Sequence, residues 1–249
     1  MKIFESHAHL DFPDFNQDRE EVIRKCLLEG IERIINIGIN KETSLKSIAL
    51  AEKFAEIFCA VGYHPHDSKT YSSEQLRKLA DHKKVVAIGE IGLDYYRNYS
   101  PREVQKQVFS DQIQIALELG LPIVVHDREA HEDCLKLLQK FKPPKVVFHC
   151  FSGDLAMARE IVNKGWFVSF TGTVTYKNSK SAEVVRNLSL ENFFLETDCP
   201  FLSPVPYRGK RNSPLNLRYI IEKIAELKNV TPKLVAAKTF ENAVEFFQV

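Results

Sequence analysis

Short apolar runs alternate with helical patterns from one end of the chain to the other. Eight runs stand out, at residues 3–9, 33–39, 57–63, 84–92, 121–126, 145–149, 166–171 and 192–198. Each is rich in Ile, Val or Phe and bounded by Gly, Pro or Asp, the pattern of parallel strands buried on both faces. Between them, residues 19–29 carry Val22, Ile23, Cys26 and Leu27 at the spacing of a helical stripe. Residues 104–119 repeat it with Val108, Ile115 and Leu119. Gly30, Gly120 and Gly165 each close a helical stretch shortly before the next strand, as αβ turns require. Thr231 and Pro232 open a last helix, with proline where helix entry tolerates it. No Pro/Gly-rich linker or low-complexity segment divides the chain. Eight β–α units without a break predict an α/β fold, a single (β/α)8 TIM barrel spanning 1–249 as one domain. The competing architecture, a doubly wound open sheet, would use fewer strands and a Gly-rich phosphate loop, which is absent.

Composition narrows the class without choosing a function. With 249 residues, 44% hydrophobic and 27% charged, the chain can bury a sizeable core and stay soluble. A formal net charge of +1 predicts no global attraction to nucleic acid, so polyanion binding needs a local basic patch. The five cysteines, Cys26, Cys59, Cys134, Cys150 and Cys199, form no CxxC pair, and an odd number argues for reduced thiols in a cytoplasmic protein. The opening MKIFESHAHLDF lacks the apolar core of a signal peptide, and no apolar stretch is long enough to span a bilayer.

What changes the picture is where the candidate ligands fall. His7, His9, Glu90, His126, His149 and Asp198 sit at the carboxyl ends of five predicted strands, where barrel enzymes place their chemistry. His7 and His9, two apart on a strand, share a face with Glu5. Alone, such a pair is more often two hydrogen-bonded surface histidines than a metal site. Glu90 closes a run too apolar to host a carboxylate without a partner, either a cation site or an arginine. His126 and His149 end neighbouring strands, and each alone would pass as a satisfied core histidine. Asp198 ends the last strand, with Glu196 on the same face. Glu5 and Glu196 then lie one layer beneath the site and orient the histidines or a nearby cation. Four histidines and two carboxylates exceed the needs of one tetrahedral ion and suit two divalent ions sharing a carboxylate. The mixed nitrogen and oxygen donors admit Zn, Mn or, less ideally, Mg.

Read in order, His7-Ala8-His9-Leu10-Asp11, Gly62-Tyr63-His64-Pro65-His66, Gly89-Glu90-Ile91-Gly92-Leu93-Asp94-Tyr95, His126-Asp127-Arg128, His149-Cys150-Phe151-Ser152-Gly153, Glu196-Thr197-Asp198-Cys199-Pro200 and Pro206-Tyr207-Arg208-Gly209-Lys210-Arg211-Asn212 make the chain resemble the TatD family of metal-dependent deoxyribonucleases. The resemblance runs over the whole length. It implies that His7, His9 and Asp198 hold one metal, His126 and His149 the other, and that Glu90 bridges them. It also implies that His64 and His66 line the substrate pocket, and that digestion of single-stranded DNA runs 3′ to 5′. Glu5 stands where the family usually carries Asp.

A divalent ion acidifies water and neutralises charge on the group attacked, which suits phosphodiester hydrolysis. Asp198 is the candidate to accept the water's proton, and Glu90 shares the catalytic centre. Arg128, two residues after His126, can clamp a phosphate, or equally pair with Glu129, Glu132 or Asp133. Residues 207–212 carry Arg208, Lys210 and Arg211, a basic cluster predicted over the barrel mouth, although most such runs are solvated faces. Tyr95, Tyr96, Tyr99 and Phe151 can stack on bases or simply pack. Cys150 and Cys199 are expected to face away from the site as buried small hydrophobes. The expected partner is a nucleic-acid end, with no membrane and no obligate protein partner. Two other readings stay open. One is an ester or amide hydrolase of the same barrel class, such as an aminoacyl-tRNA deacylase or lactonase; the other is a non-catalytic barrel that binds metal for stability.

Overall fold

The computed structural model describes residues 1–249. In chain order the elements are β1 (Ile3–Ala8), α1 (Arg19–Leu28), β2 (Ile31–Ile37), α2 (Lys41–Lys53), β3 (Ile57–Val61), α3 (Ser73–Ala80), β4 (Val85–Asp94) and α4 (Arg102–Leu119). They continue with β5 (Ile123–Arg128), α5 (His131–Phe141), β6 (Val146–Phe148), α6 (Leu155–Asn163), β7 (Phe167–Phe170), α7 (Lys180–Asn187), β8 (Phe193–Leu195), α8 (Leu217–Lys228) and α9 (Pro232–Phe247). The eight strands form one sheet in sequence order. The pairings β1–β2, β3–β4, β4–β5, β5–β6 and β7–β8 are parallel, and a parallel bridge from Ala8 to Cys199 nearly closes the barrel.

Local chemistry sets the element ends. Asn40 and Thr43 form a reciprocal capping box on α2, and Ser72, Asp154 and Thr231 each accept a backbone N–H at the start of α3, α6 and α9. These side chains satisfy donors that a helix leaves unpaired at its start. Gly120 ends α4 at φ +67°, the left-handed conformation a residue without Cβ adopts at least cost.

Packing divides the chain into a terminal unit, Met1–Asn36 with Cys150–Val249, and a central unit, Ile37–His149. In the terminal unit α9 lays aromatic rings on the first and last strands. Phe247 stacks on Phe4 at 5.9 Å between centroids, and Phe246 meets Phe194 edge-on at 5.1 Å. Burying such rings is the largest apolar contribution a single side chain makes. In the central unit α4 carries two fully buried amides, Gln105 and Gln112, two helical turns apart on one face. Gln112 accepts from Tyr63 N at 2.8 Å and donates to Tyr63 O at 3.0 Å. Gln105 accepts from Asp94 N at 2.8 Å and donates to Asp94 O and Ser100 O at 3.1 and 2.8 Å. The helix thereby satisfies backbone groups just past β3 and at the end of β4, which burial would otherwise make costly.

The strand ends differ from expectation at several site residues, with Asp198 in a turn after β8 and His149 just past β6. Glu90 and His126 lie within their strands, because β4 runs on to Asp94 and β5 to Arg128. Gly92 makes the extension possible. It pairs in register with His126, at φ +143°, and a Cβ there would fall 2.0 Å from His126 O. Only glycine lets the two backbones run this close.

Candidate metal centre

In the terminal unit, strand alternation turns Glu5 and His7 to one side of β1, with His9 just beyond the strand. The Nε2 atoms of His7 and His9 stand 3.2 Å apart. Asp198 Oδ1 lies 3.6 Å from the first and 3.4 Å from the second. Donors about 2.0–2.1 Å from one tetrahedral ion stand about 3.3–3.4 Å apart, so this trio already has the spacing of neighbouring ligands. The donor set fits a divalent ion. Asp198 reaches its place from a turn after β8 at φ +53°, a conformation Asp tolerates better than most residues. Its N–H donates to His7 O at 3.0 Å, and its carbonyl accepts from Phe201 N at 2.9 Å.

Asn212, fully buried at the end of the basic run, holds the same turn from outside. Its Nδ2 donates to Thr197 O and Phe201 O at 3.0 and 2.6 Å. The sequence offered a signal for it, an amide closing a charged segment just before Ser213-Pro214.

The central unit gathers a denser cluster. Glu90 Oε1 accepts from His126 Nδ1 at 2.6 Å and lies 2.8 Å from His149 Nε2 and 3.5 Å from His64 Nε2. No arginine is needed to explain this buried carboxylate. Burial pushes Glu90 up, but His149, His64 and His126 outweigh it and hold the carboxyl well below its usual range. Asp94, fully buried, takes both His66 Nε2 at 2.8 Å and His126 Nε2 at 3.2 Å on its Oδ2. Burial opposes its charge, and the bonds from His126 and His66 prevail and lower it. His64 shifts the other way. Burial, reinforced by His126, holds it well below the usual imidazole value.

His64, Glu90 and His126 offer donor atoms within 4.8 Å of one another, so His64 can serve as a ligand as well as line a pocket. Asp94 is a residue that sequence reasoning passed over. Its signal was the alternation 90, 92, 94, which continues one strand face through Gly92.

The two deeper carboxylates bind backbone and hydroxyl groups. Glu5 Oε1 accepts from His7 N and Thr197 N at 3.2 and 2.9 Å, and Oε2 accepts from Thr197 Oγ1 at 2.6 Å. Burial is the main influence on Glu5 and pushes it up to about 8. Glu196 accepts from Cys150 N at 2.6 Å and Ser169 Oγ at 2.7 Å. Each therefore fixes the chain that carries ligands.

The basic residues part company. Arg211 is tied by two bonds to Asp18, at 2.8 and 2.6 Å, and by a third to Asp14 O at 2.7 Å. Its charge is answered within the terminal unit by Asp18 and the Asp14 carbonyl. Arg208 lies over the Tyr176 ring at 4.5 Å, and Arg128 over Tyr96 at 4.1 Å, where a carboxylate from Glu129, Glu132 or Asp133 was the alternative. Of the four aromatics expected at the rim, Tyr96 and Tyr99 are exposed. Phe151 is buried, and Tyr95 is tied through its hydroxyl to Asp133 at 2.6 Å. Cys199 is buried as expected. Cys150 is only half-buried, in a turn at φ +44° with its thiol 3.6 Å from Thr171 Oγ1.

A family model described as TatD related DNase matches residues 4–248. The chain belongs to the TatD family of metal-dependent hydrolases. Among TatD-family relatives, a protein of Bacillus subtilis described as the uncharacterized metal-dependent hydrolase YabD is 42% identical, over 99% of each chain. The 3′-5′ ssDNA/RNA exonuclease TatD of Salmonella typhimurium is 33% identical, also over 99% of each. The crystal structure of YjjV, a TatD homolog from Escherichia coli K12, superposes with a TM-score of 0.93 at 30% identity, covering 99% of this chain and 98% of that one. No helix of this TatD-family chain is long and apolar enough to cross a membrane.

Proposed function

We propose that the chain is one catalytic domain that removes nucleotides from single-stranded DNA ends, 3′ to 5′, with two divalent ions. The observation that carries the hydrolytic reading is the spacing of His7, His9 and Asp198, which matches neighbouring ligands of one ion. On this reading those three hold the first ion, His126 and His149 hold the second, and Glu90 is the shared carboxylate. Both sets mix imidazole and carboxylate donors, which suits Zn or Mn better than Mg. Bound there, divalent ions supply Lewis acidity toward water and toward a phosphoryl oxygen.

The remaining work falls to the chain. Asp198, with 15% of its side chain exposed against none of His7, is the carboxylate placed to meet solvent water and take its proton. Glu5 and Asn212 keep His7 and the Asp198 turn in place from below and from outside. Arg128 and Arg208, each lying on a tyrosine ring, are the cations that can turn to phosphate oxygens. The likeness to an ssDNA/RNA exonuclease over nearly the full length supports a nucleic-acid end as substrate. Five free cysteines fit a reducing cytoplasm.

The test is metal-reconstituted protein assayed in parallel on end-labelled single-stranded DNA, RNA and aminoacyl-tRNA. Loss of a 3′ label before a 5′ label, abolished by Glu90→Gln, is the expected result. Turnover of the aminoacyl ester with DNA left intact would replace the nuclease reading with an ester hydrolase of the same class. Metal binding with no turnover of any substrate would favour an inert barrel.

A further inference from the structure

The loop after β4 has a construction that the ligand clusters do not account for. Tyr96 and Tyr99 stand 55% and 59% exposed, three residues apart, in a segment that is otherwise firmly held. Asp94 Oδ1 accepts from Tyr96 N at 3.0 Å and Arg97 N at 2.8 Å, while its other oxygen takes His66 and His126. Gln105 holds the backbone on both sides, at Asp94 and Ser100. Ser100 Oγ donates to His66 O at 3.1 Å, and the Tyr99 ring rests against the His66 imidazole at 4.7 Å.

A buried carboxylate that orders two histidines thus also fixes the backbone beneath an exposed tyrosine. Exposed rings on a fixed backbone lose little further freedom when a ligand stacks on them. The cations complete the arrangement. The guanidinium carbons of Arg128 and Arg97 lie 4.1 and 5.6 Å from the centre of the same Tyr96 ring. Both arginines therefore have a ring as partner, whereas Arg77 and Arg211 have a carboxylate. A guanidinium parked on a π-face keeps its donors available for phosphate.

We propose that this loop is a platform for a single strand, with Tyr96 and Tyr99 stacking on successive bases and Arg97 and Arg128 holding the phosphate that joins them. The inference rests on the nuclease reading and names the part of the chain that recognises the strand. Stacking on two rings with phosphate contacts is tolerant of base identity, because every base has a π-face. The platform therefore favours length over sequence.

The measurement is kcat/KM of the metal-loaded full chain on a single-stranded decathymidylate and on a thymidine dinucleotide. Wild type should prefer the decamer. Tyr96→Ala and Tyr99→Ala should each cut that preference about tenfold, mainly through KM. Tyr96→Phe and Tyr99→Phe, which keep the ring, should retain it. Arg128→Gln should reduce the slope of log kcat/KM against log salt by about 0.7, one phosphate contact to a single strand. An unchanged decamer preference in the alanine variants overturns the platform, as do phenylalanine variants no better than alanine. Wild type that cleaves neither oligonucleotide overturns the nuclease reading itself, a separate and recognisable result.

Discussion

The terminal and central units both collect imidazoles and carboxylates, yet they do so in opposite ways. In the terminal unit Asp198 Oδ1 stands 3.4 and 3.6 Å from the two histidine nitrogens, longer than an ordinary hydrogen bond. In the central unit Glu90 closes on His126 and His149 at 2.6 and 2.8 Å, and Asp94 closes on His66 and His126 at 2.8 and 3.2 Å. The first cluster has the spacing of an ion's ligands. The second satisfies much of its own charge. Function should therefore depend on both clusters, while the stability of the metal-free chain should depend chiefly on the second.

The largest expected effect tests that division directly. Glu90→Ala should abolish turnover and, in metal-free protein, lower stability by about 3–5 kcal/mol, because it strands imidazoles that the carboxylate compensates. Asp198→Asn should abolish turnover too, at a cost of less than about 1 kcal/mol without metal. Urea unfolding of the two variants under chelation checks the pair, and equal costs would erase the distinction. Next in size, Gly92→Ala should cost about 2–4 kcal/mol, from the strained φ and the clash with His126 O. A melting temperature unmoved by that change would mean β4 and β5 can separate without loss.

Chelation gives a smaller and more selective effect. Removing an ion present at a hundredfold its Kd should withdraw about 2.7 kcal/mol of stability. Asp198→Asn should lose most of this metal-dependent shift in thermal melts, and a full shift in that variant would move the tighter ion to the central cluster. The smallest effect lies at Arg211. Its bonds lower the Asp18 carboxyl below its usual range, so the pair stabilises above Asp's unfolded value, about 3.9, and fades as pH falls through the lower folded value. Solvent screening keeps it below about 1 kcal/mol. Melting curves of wild type and Arg211→Ala should differ slightly at pH 7 and converge as pH falls through the lowered Asp18 value. A decamer KM raised by this substitution would return Arg211 to the substrate.

Much of this was legible in the chain. The strand–helix alternation announced the barrel, because buried parallel strands read as short apolar runs. His7, His9 and Asp198 were found because a polar group beyond such a run needs a reason to be there. The central cluster was read less fully. Gly92 looked like the end of β4, although it is the residue that lets the strand continue, and so Asp94 passed as part of a loop. Partners distant in sequence were invisible. Nothing near Arg211 points to Asp18, 193 residues away, and nothing near Glu5 points to Thr197, 192 residues away. Such pairings exist only once the fold has brought the two segments together.

The two buried glutamines of α4 have a mechanical consequence. Through Gln112 and Gln105 one helix grips the chain at Tyr63, next to His64, and at Asp94. A helix is stiff along its axis, so a displacement of α4 carries both grips together and leaves the interval between them nearly unchanged. The helix works as a spacer bar, fixing the interval between the chain at Tyr63, next to His64, and the chain at Asp94.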